Sequence, residues 1–143
     1  MSLSDFRCIT RFRVPFCDIN MAQHVGNAGL VVWSETIRGV YFDVVLNEPM
    51  AVANSIILAS LKFDYEHPID YREEVAVGCR VSRLGRKSFD FAFEIWSESR
   101  KVCAARGLTT MVAYNYDTKM SIPIPERWRE VIATYEVLAP AMA

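Results

Sequence analysis

An excess of either sign of charge is missing from this chain of 143 residues: 16 Lys and Arg against 17 Asp and Glu leave a net charge of -1 at pH 7. A surface so near neutrality gives no electrostatic reason to expect DNA or RNA as a partner. Cysteine is sparse. Its four residues, Cys8, Cys17, Cys79 and Cys103, have neither metal-ligand spacing nor the density of a disulfide framework, and they read as reduced, mostly buried packing residues. No metal is expected. The first residues, Met1 to Arg7, lack the apolar core of a secretory signal, and the longest apolar stretch carries Glu35, Arg38 and Asp43, which argues against a membrane span. A cytoplasmic location is the expectation. With no internal repeat, linker or low-complexity stretch, residues 1–143 are expected to form one domain, large enough to bury roughly 70% of the unfolded surface.

What the chain does have is apolar material: 52% hydrophobic residues and 12% aromatic ones imply a large core or subunit contacts that cover additional area. Much of it sits behind a short polar loop, Asp18-Ile19-Asn20-Met21-Ala22-Gln23-His24-Val25-Gly26-Asn27. The loop opens into a segment from Ala28 to Leu46 that is apolar on nearly every face, so the spacing predicts one long helix wrapped by protein. Ser34, Glu35 and Arg38 fall on one narrow strip of it, and a seven-residue step back from Ser34 reaches Asn27 at the helix mouth. Asn47 and Pro49 supply the stop.

Strands fill most of the remainder. Cys8, Thr10, Phe12, Val14 and Phe16 alternate with Arg7, Arg11, Arg13 and Pro15, predicting a strand whose pairing loosens at Pro15. Ile57 to Tyr65 predicts a second, ended by His67-Pro68. Val75 to Val81 and Phe89 to Ile95 predict a hairpin across the turn Leu84-Gly85-Arg86-Lys87. A last strand follows the turn at Glu98-Ser99-Arg100, with a bulge or bend expected near Gly107. Pro125, Glu126 and the helical spacing of Trp128, Val131, Ile132 and Tyr135 predict a short closing helix.

The order is strand, buried helix, four strands, short helix, and hairpin-length links make the later strands antiparallel. A sheet curled round the central helix buries it most economically. This is an α+β arrangement, the hotdog fold. Over nearly its whole length the chain also resembles the 4-hydroxybenzoyl-CoA thioesterase branch of hotdog-fold acyl-CoA thioesterases. The matching stretches are Val14-Pro-Phe-Cys-Asp-Ile-Asn20, Gln23-His-Val-Gly-Asn27, Glu35 and Arg38, Gly85-Arg-Lys-Ser-Phe89, and Pro123-Ile-Pro-Glu126. The loop is similar as well to the Asp-x-Asp/Asn…His-Val-Asn-Asn pattern of plant and bacterial acyl thioesterases.

The loop has a chemistry of its own. Backbone N–H groups near Val25, Gly26, Asn27 and Ala28 lie at the positive end of the helix and have no helical partners. Aimed at a thioester carbonyl, such donors stabilise the developing oxyanion by about 2.7–4 kcal/mol each. Hydrolysis also needs a nucleophile or base. The resemblance implies a loop carboxylate, but by the spacing to His24 that position holds Asn20, and an amide is no base. Asp18, His24 and Glu35 are the ionisable candidates, with Asn20 orienting the water or the carbonyl. Each has a structural alternative that stays open here: Asp18 bonding loop amides, Glu35 paired with Arg38, His24 anchoring the loop, Asn27 capping the helix.

The resemblance further implies that Arg86 and Lys87 meet the phosphates of coenzyme A, although a basic hairpin turn is often only solvated. Gly85-Arg86-Lys87-Ser88 lacks the upstream glycine of a phosphate loop and leads into a strand. The expected function is hydrolysis of an acyl-CoA thioester to free acid and coenzyme A without a cofactor. The alternatives are an acyl-carrier-protein thioesterase or a non-hydrolytic acyl-thioester binding protein. The resembled enzymes join sheets edge to edge, which implies a homodimer or homotetramer with each site built from both subunits.

Overall fold

Alternation in the sequence becomes a two-faced sheet. The computed structural model describes residues 2–48 and 53–143; the expected stop at Pro49 lies outside them. Five main strands, β1 (Cys8–Arg13), β2 (Asn54–Tyr65), β3 (Glu74–Leu84), β4 (Ser88–Ser97) and β5 (Val102–Asn115), form an antiparallel sheet in the order β1-β3-β4-β5-β2. Two short strands, β6 (Met120–Ser121) and β7 (Ala141–Met142), extend it from β5 and β3. Val75, Val77, Cys79 and Val81 share one buried face with Phe89, Phe91, Phe93 and Ile95. The sheet curls, and the long helix α1 (Asn27–Val40) lies against that face through Leu30, Trp33 and Ile37. Spacings of three and four residues place these side chains on one stripe.

A single π turn over Tyr41–Val45 continues α1 and buries Tyr41, Phe42 and Val45. Asn47 then takes φ 54°, the left-handed conformation expected of the stop. The start differs from expectation. Asn27 is the first helical residue and the extended Gly26 is the cap, without a side-chain cap bond, so Asn27 does not cap the helix. Nor is α1 wrapped on all sides. Val32, Val40 and Val44 are exposed, because a curled sheet of one chain covers only one side of a helix.

Other departures are local. β1 ends at Arg13, and a 3-10 turn over Phe16–Asp18 follows Pro15. The irregularity expected near Gly107 falls three residues before it, at Ala104, while Gly107 itself pairs with Phe63 on one side and Phe93 on the other. A Cβ there would lie 2.4 Å from the Phe63 ring, so the missing side chain makes room for an aromatic neighbour. The register slips between Ile95 and Trp96, opposite Ala105 and Cys103, and also between Leu58 and Ser60 on β2. Three cysteines are buried, whereas Cys17 is exposed. Among the described residues no helix is long and apolar enough to cross a membrane.

The closing helix α2 (Glu126–Tyr135) buries Trp128 and Ile132, with the Trp128 ring against Phe42 and Phe89. Directly after it, Glu136 turns back into the core. Its Oε1 accepts hydrogen bonds from the Tyr41 hydroxyl at 2.6 Å and from the Val81 N–H at 2.8 Å. The carboxylate thus covers β3 beyond the last β1 pair, Cys8 with Cys79. Burial raises its pKa against the opposing pull of these two bonds. A carboxyl whose folded pKa is raised stabilises the fold below its unfolded pKa, and that contribution is lost as pH rises through the folded value. Glu136→Gln removes the titration but keeps the accepting oxygen. Urea unfolding from about pH 4 to neutrality is expected to show wild type losing stability relative to the Gln variant as pH rises; parallel curves would contradict this.

Candidate functional site

The loop that enters α1 is fixed by its own backbone. Ile19 bridges Val25, and Asn20 N–H donates to the His24 carbonyl at 3.0 Å. Gln23 N–H donates to the Asn20 carbonyl, and Gln23 itself sits at φ 66°. His24 bridges Asp70, and Val25 N–H reaches the Ile69 carbonyl at 2.8 Å. Gly26 N–H is taken by the Asp18 carbonyl at 3.2 Å. Two of the four expected amide donors, those of Val25 and Gly26, are therefore already spent. The N–H groups of Asn27 and Ala28 remain, in the first turn of α1 where no helical acceptor exists.

Around these two donors stand the loop side chains. Asn20 folds back, its Oδ1 accepting the Ala22 N–H at 3.0 Å, and its Nδ2 lies 3.5 Å from where a Cβ on Gly26 would be. The amide side chain is thus held beside the cap. His24 is half-buried, with Nδ1 3.5 Å from the Val25 carbonyl, a distance at the limit of hydrogen bonding. Asp18 points along the helix, and its Oδ2 accepts the Trp33 indole N–H at 2.8 Å. From there a cavity of about 250 Å³ runs between β1 and α1, lined by Asp18, Phe12, Trp33, Ile37, Val40 and Val77 among others. Trp33 stacks edge-on against Phe12 at 4.9 Å, so the carboxylate is oriented by a side chain that is itself packed.

Trp33 and Tyr65 are the residues that sequence reading missed. The Tyr65 hydroxyl donates to the Asn27 carbonyl at 3.3 Å and closes the β2 side of the mouth. A signal existed for Trp33, since a buried indole N–H requires a partner and Asp18 is the nearby acceptor. For Tyr65 there was none, because its place depends on β2 running antiparallel to α1.

Two expected members stand elsewhere. Glu35 lies about 12 Å along the helix from Asn27, at 1.5 Å per residue. Its side chain is 70% exposed, on a separate cleft of about 520 Å³ between α1 and the start of β2. Arg38 forms the base of that cleft, 3.7 Å from Glu35. Ser34, the third residue of the strip, spends its hydroxyl on the Val31 carbonyl of its own helix. Arg86 and Lys87 occupy the β3–β4 turn, where the Arg86 carbonyl accepts the Ile124 N–H and Lys87 Nζ meets Ser121 at 3.3 Å. The length of β3 separates this turn from the mouth by about 30 Å, so within one chain the two do not meet. Among the described residues no group of three or more His, Cys, Asp or Glu side chains is placed to hold a metal ion.

Solved structures share this fold. A thioesterase from Thermus thermophilus, complexed with coenzyme A and Zn, is 30% identical; the match covers 91% of this chain and 94% of that one, with a TM-score of 0.79. The PA5185 protein from Pseudomonas aeruginosa strain PAO1 superposes with a TM-score of 0.85 at 19% identity, covering 96% of both chains. A 1,4-dihydroxy-2-naphthoyl-CoA thioesterase from Synechocystis gives 0.77 at 15% identity, covering 89% of this chain and 96% of that one. The search of curated proteins found no match. Residues 14–132, from the end of β1 into α2, match the model of the thioesterase-like superfamily, and the chain belongs to that superfamily.

Proposed function

We propose that the protein hydrolyses an acyl-CoA thioester at the mouth of α1. The observation that carries this reading is the pair of open N–H groups, Asn27 and Ala28, beside a loop that presents Asp18, Asn20 and His24. The thioester carbonyl accepts from these donors, which hold the charge that grows on its oxygen. Water adds to the carbonyl carbon as a base takes its proton. The C–S bond then breaks, the thiolate leaves and is protonated to coenzyme A, and the acyl group departs as free acid. Asp18 is the carboxylate of the loop itself, and the Trp33 N–H fixes its direction. Asn20 contributes its amide N–H to the water or the carbonyl. Protein groups supply every step, without a resident cofactor. The coenzyme A bound by the Thermus relative supports a ligand of that class.

A panel of acyl-CoA and acyl-carrier-protein esters, assayed for thiol release, tests the reaction and its carrier. Asp18→Ala is expected to lower turnover about 100-fold or more. Trp33→Phe keeps the ring packing but drops the hydrogen bond, and is expected to cost about 1.5 kcal/mol of stability together with part of the activity. Full activity in both variants would remove Asp18 from the mechanism.

A second reading, binding without hydrolysis, is favoured by one observation: the residue beside Gly26 is the amide Asn20, with its oxygen committed to Ala22. Asn20→Asp separates the two. A large gain in turnover assigns the natural protein to binding, whereas a loss means that the site works with the amide.

The same reading includes a second copy of the chain. β2 is 12 residues long, pairs among the described residues with β5 alone, and leaves Ile57, Leu58 and Leu61 exposed. Such an edge pairs readily with its like. Antiparallel pairing of two β2 edges by a two-fold axis reverses one sheet against the other. The partner's β3–β4 turn then lies at this chain's mouth end, three to four strand spacings away, or about 14–19 Å. Arg86 and Lys87 of one subunit thus meet the coenzyme A phosphates at the mouth of the other. Light scattering at micromolar concentration is expected to give at least twice the 16.3 kDa chain mass; an active monomer would overturn the shared site.

A further inference from the structure

The cleft between α1 and the start of β2 holds a cation without a hydrogen bond to any described residue. The Arg38 side chain is 9% exposed, yet among the described residues its guanidinium makes no hydrogen bond. Its ion-pair partner, Glu35, is 3.7 Å away and 70% exposed, a contact too long and too wet to satisfy the planar fork. None of the Arg38 nitrogens is among the buried polar atoms left without a partner, so they open to the cleft, where a ligand can reach the planar fork. Phe42, Ile56 and Met111 give the cleft apolar walls. On the rim, the Ser55 hydroxyl is likewise without a hydrogen bond among the described residues, while the Tyr116 hydroxyl is spent on the Ile56 carbonyl at 2.9 Å.

A buried fork, a free hydroxyl and apolar walls match one ligand chemistry: a carboxylate on an apolar body. We propose that this cleft is a carboxylate subsite in which Arg38 grips the carboxylate, Ser55 donates to it, and Glu35 swings out into solvent. The apolar body lies on Phe42 and Met111. Two sources carry this chemistry, a free carboxylic acid or the far end of a dicarboxylic acyl group whose thioester lies at a helix mouth. In its own chain Arg38 stands about 16 Å from Asn27 along the helix. Two-fold pairing of the β2 edges brings the cleft toward the mouth of the other subunit, so the acyl source rests on the hydrolase reading above; the free-acid source does not.

Octanoate and octanamide, titrated calorimetrically into the whole protein, test the subsite without any thioester. Octanoate is expected to bind and octanamide to bind about ten-fold more weakly or not at all. Arg38→Met abolishes the difference and Arg38→Lys retains part of it. Ser55→Ala weakens octanoate, and Glu35→Gln strengthens it by removing a like charge. These two exposed or half-exposed positions keep the test valid if the Arg38 variants do not fold. Equal affinity for octanoate and octanamide overturns the proposal. So does octanoate affinity that ignores Arg38→Met, or a change of oligomer mass as the sole effect of that variant, which assigns the guanidinium to a subunit contact. Mono-CoA thioesters of dicarboxylic acids of rising length, set against methyl-ended equivalents, then identify the source. A KM that rises in Arg38→Met for the acidic series alone assigns the carboxylate to the acyl group. Octanoate binding with no such discrimination assigns the subsite to a free acid, even if hydrolysis itself fails.

Discussion

Burial of one stripe of α1 on the aromatic face of the sheet is the contact on which the rest of the molecule depends. Leu30, Trp33, Ile37 and Tyr41 meet a surface made by Phe89, Phe91 and Phe93, and each such side chain removed from water contributes about 1.5–3 kcal/mol. Because the stripe fixes the rotation of the helix, it also fixes what lies beside it. The first turn faces the loop, Trp33 points toward Asp18, and Arg38 falls on the β2 side. A rotation of the helix by one residue, about 100°, would move all three. Core packing and site geometry are therefore one constraint rather than two.

The ends of the chain complete that constraint. β1 pairs with β3 only as far as Cys79, which leaves the β3 edge open beyond it. Glu136 closes the gap at Val81 and β7 closes it at Arg83 and Leu84. The same carboxylate accepts the hydroxyl of Tyr41, the residue where α1 passes into its π turn. One buried acid thus ties the last helix, the central helix and the sheet edge together. Burial opposes its ionisation, and the two hydrogen bonds that hold it in place offset part of that cost.

Periodicity showed where the elements lie, since alternation and helical spacing report directly which side chains share a face. The hairpin at Gly85, the long helix and the closing helix at Glu126 were legible for that reason. What periodicity does not report is cover. Val32, Val40 and Val44 have the pattern of wrapped positions, yet they are open, because apolar character says nothing about which neighbour is present. Gly107 was legible only in part: a glycine in a strand signals a bend or a close approach alike, and while the register does slip nearby at Ala104, at Gly107 itself the Phe63 ring, from a strand more than forty residues earlier, decides for close approach. In the loop, the residue types were legible but their bonding was not. Val25 and Gly26 lose their donors to Ile69 and to the Asp18 carbonyl, partners set by tertiary pairing rather than by spacing. The separation of Arg86 from the mouth followed from strand order and strand length, neither of which a motif contains.

Two unlike grooves flank the helix because one sheet covers only part of it. On the β1 side the cavity is mainly apolar, and its one carboxylate, Asp18, is held by an indole that is itself packed against Phe12. On the β2 side the cleft is wider and its base is a guanidinium without a hydrogen bond among the described residues. The first suits an apolar ligand end without charge, since a negative end would face Asp18 there. The second suits a negative end, for the same physical reason with the sign reversed. Both characters follow from the rotation of one helix: the stripe that faces the sheet sets Trp33, the partner of Asp18, on one flank and Arg38 on the other.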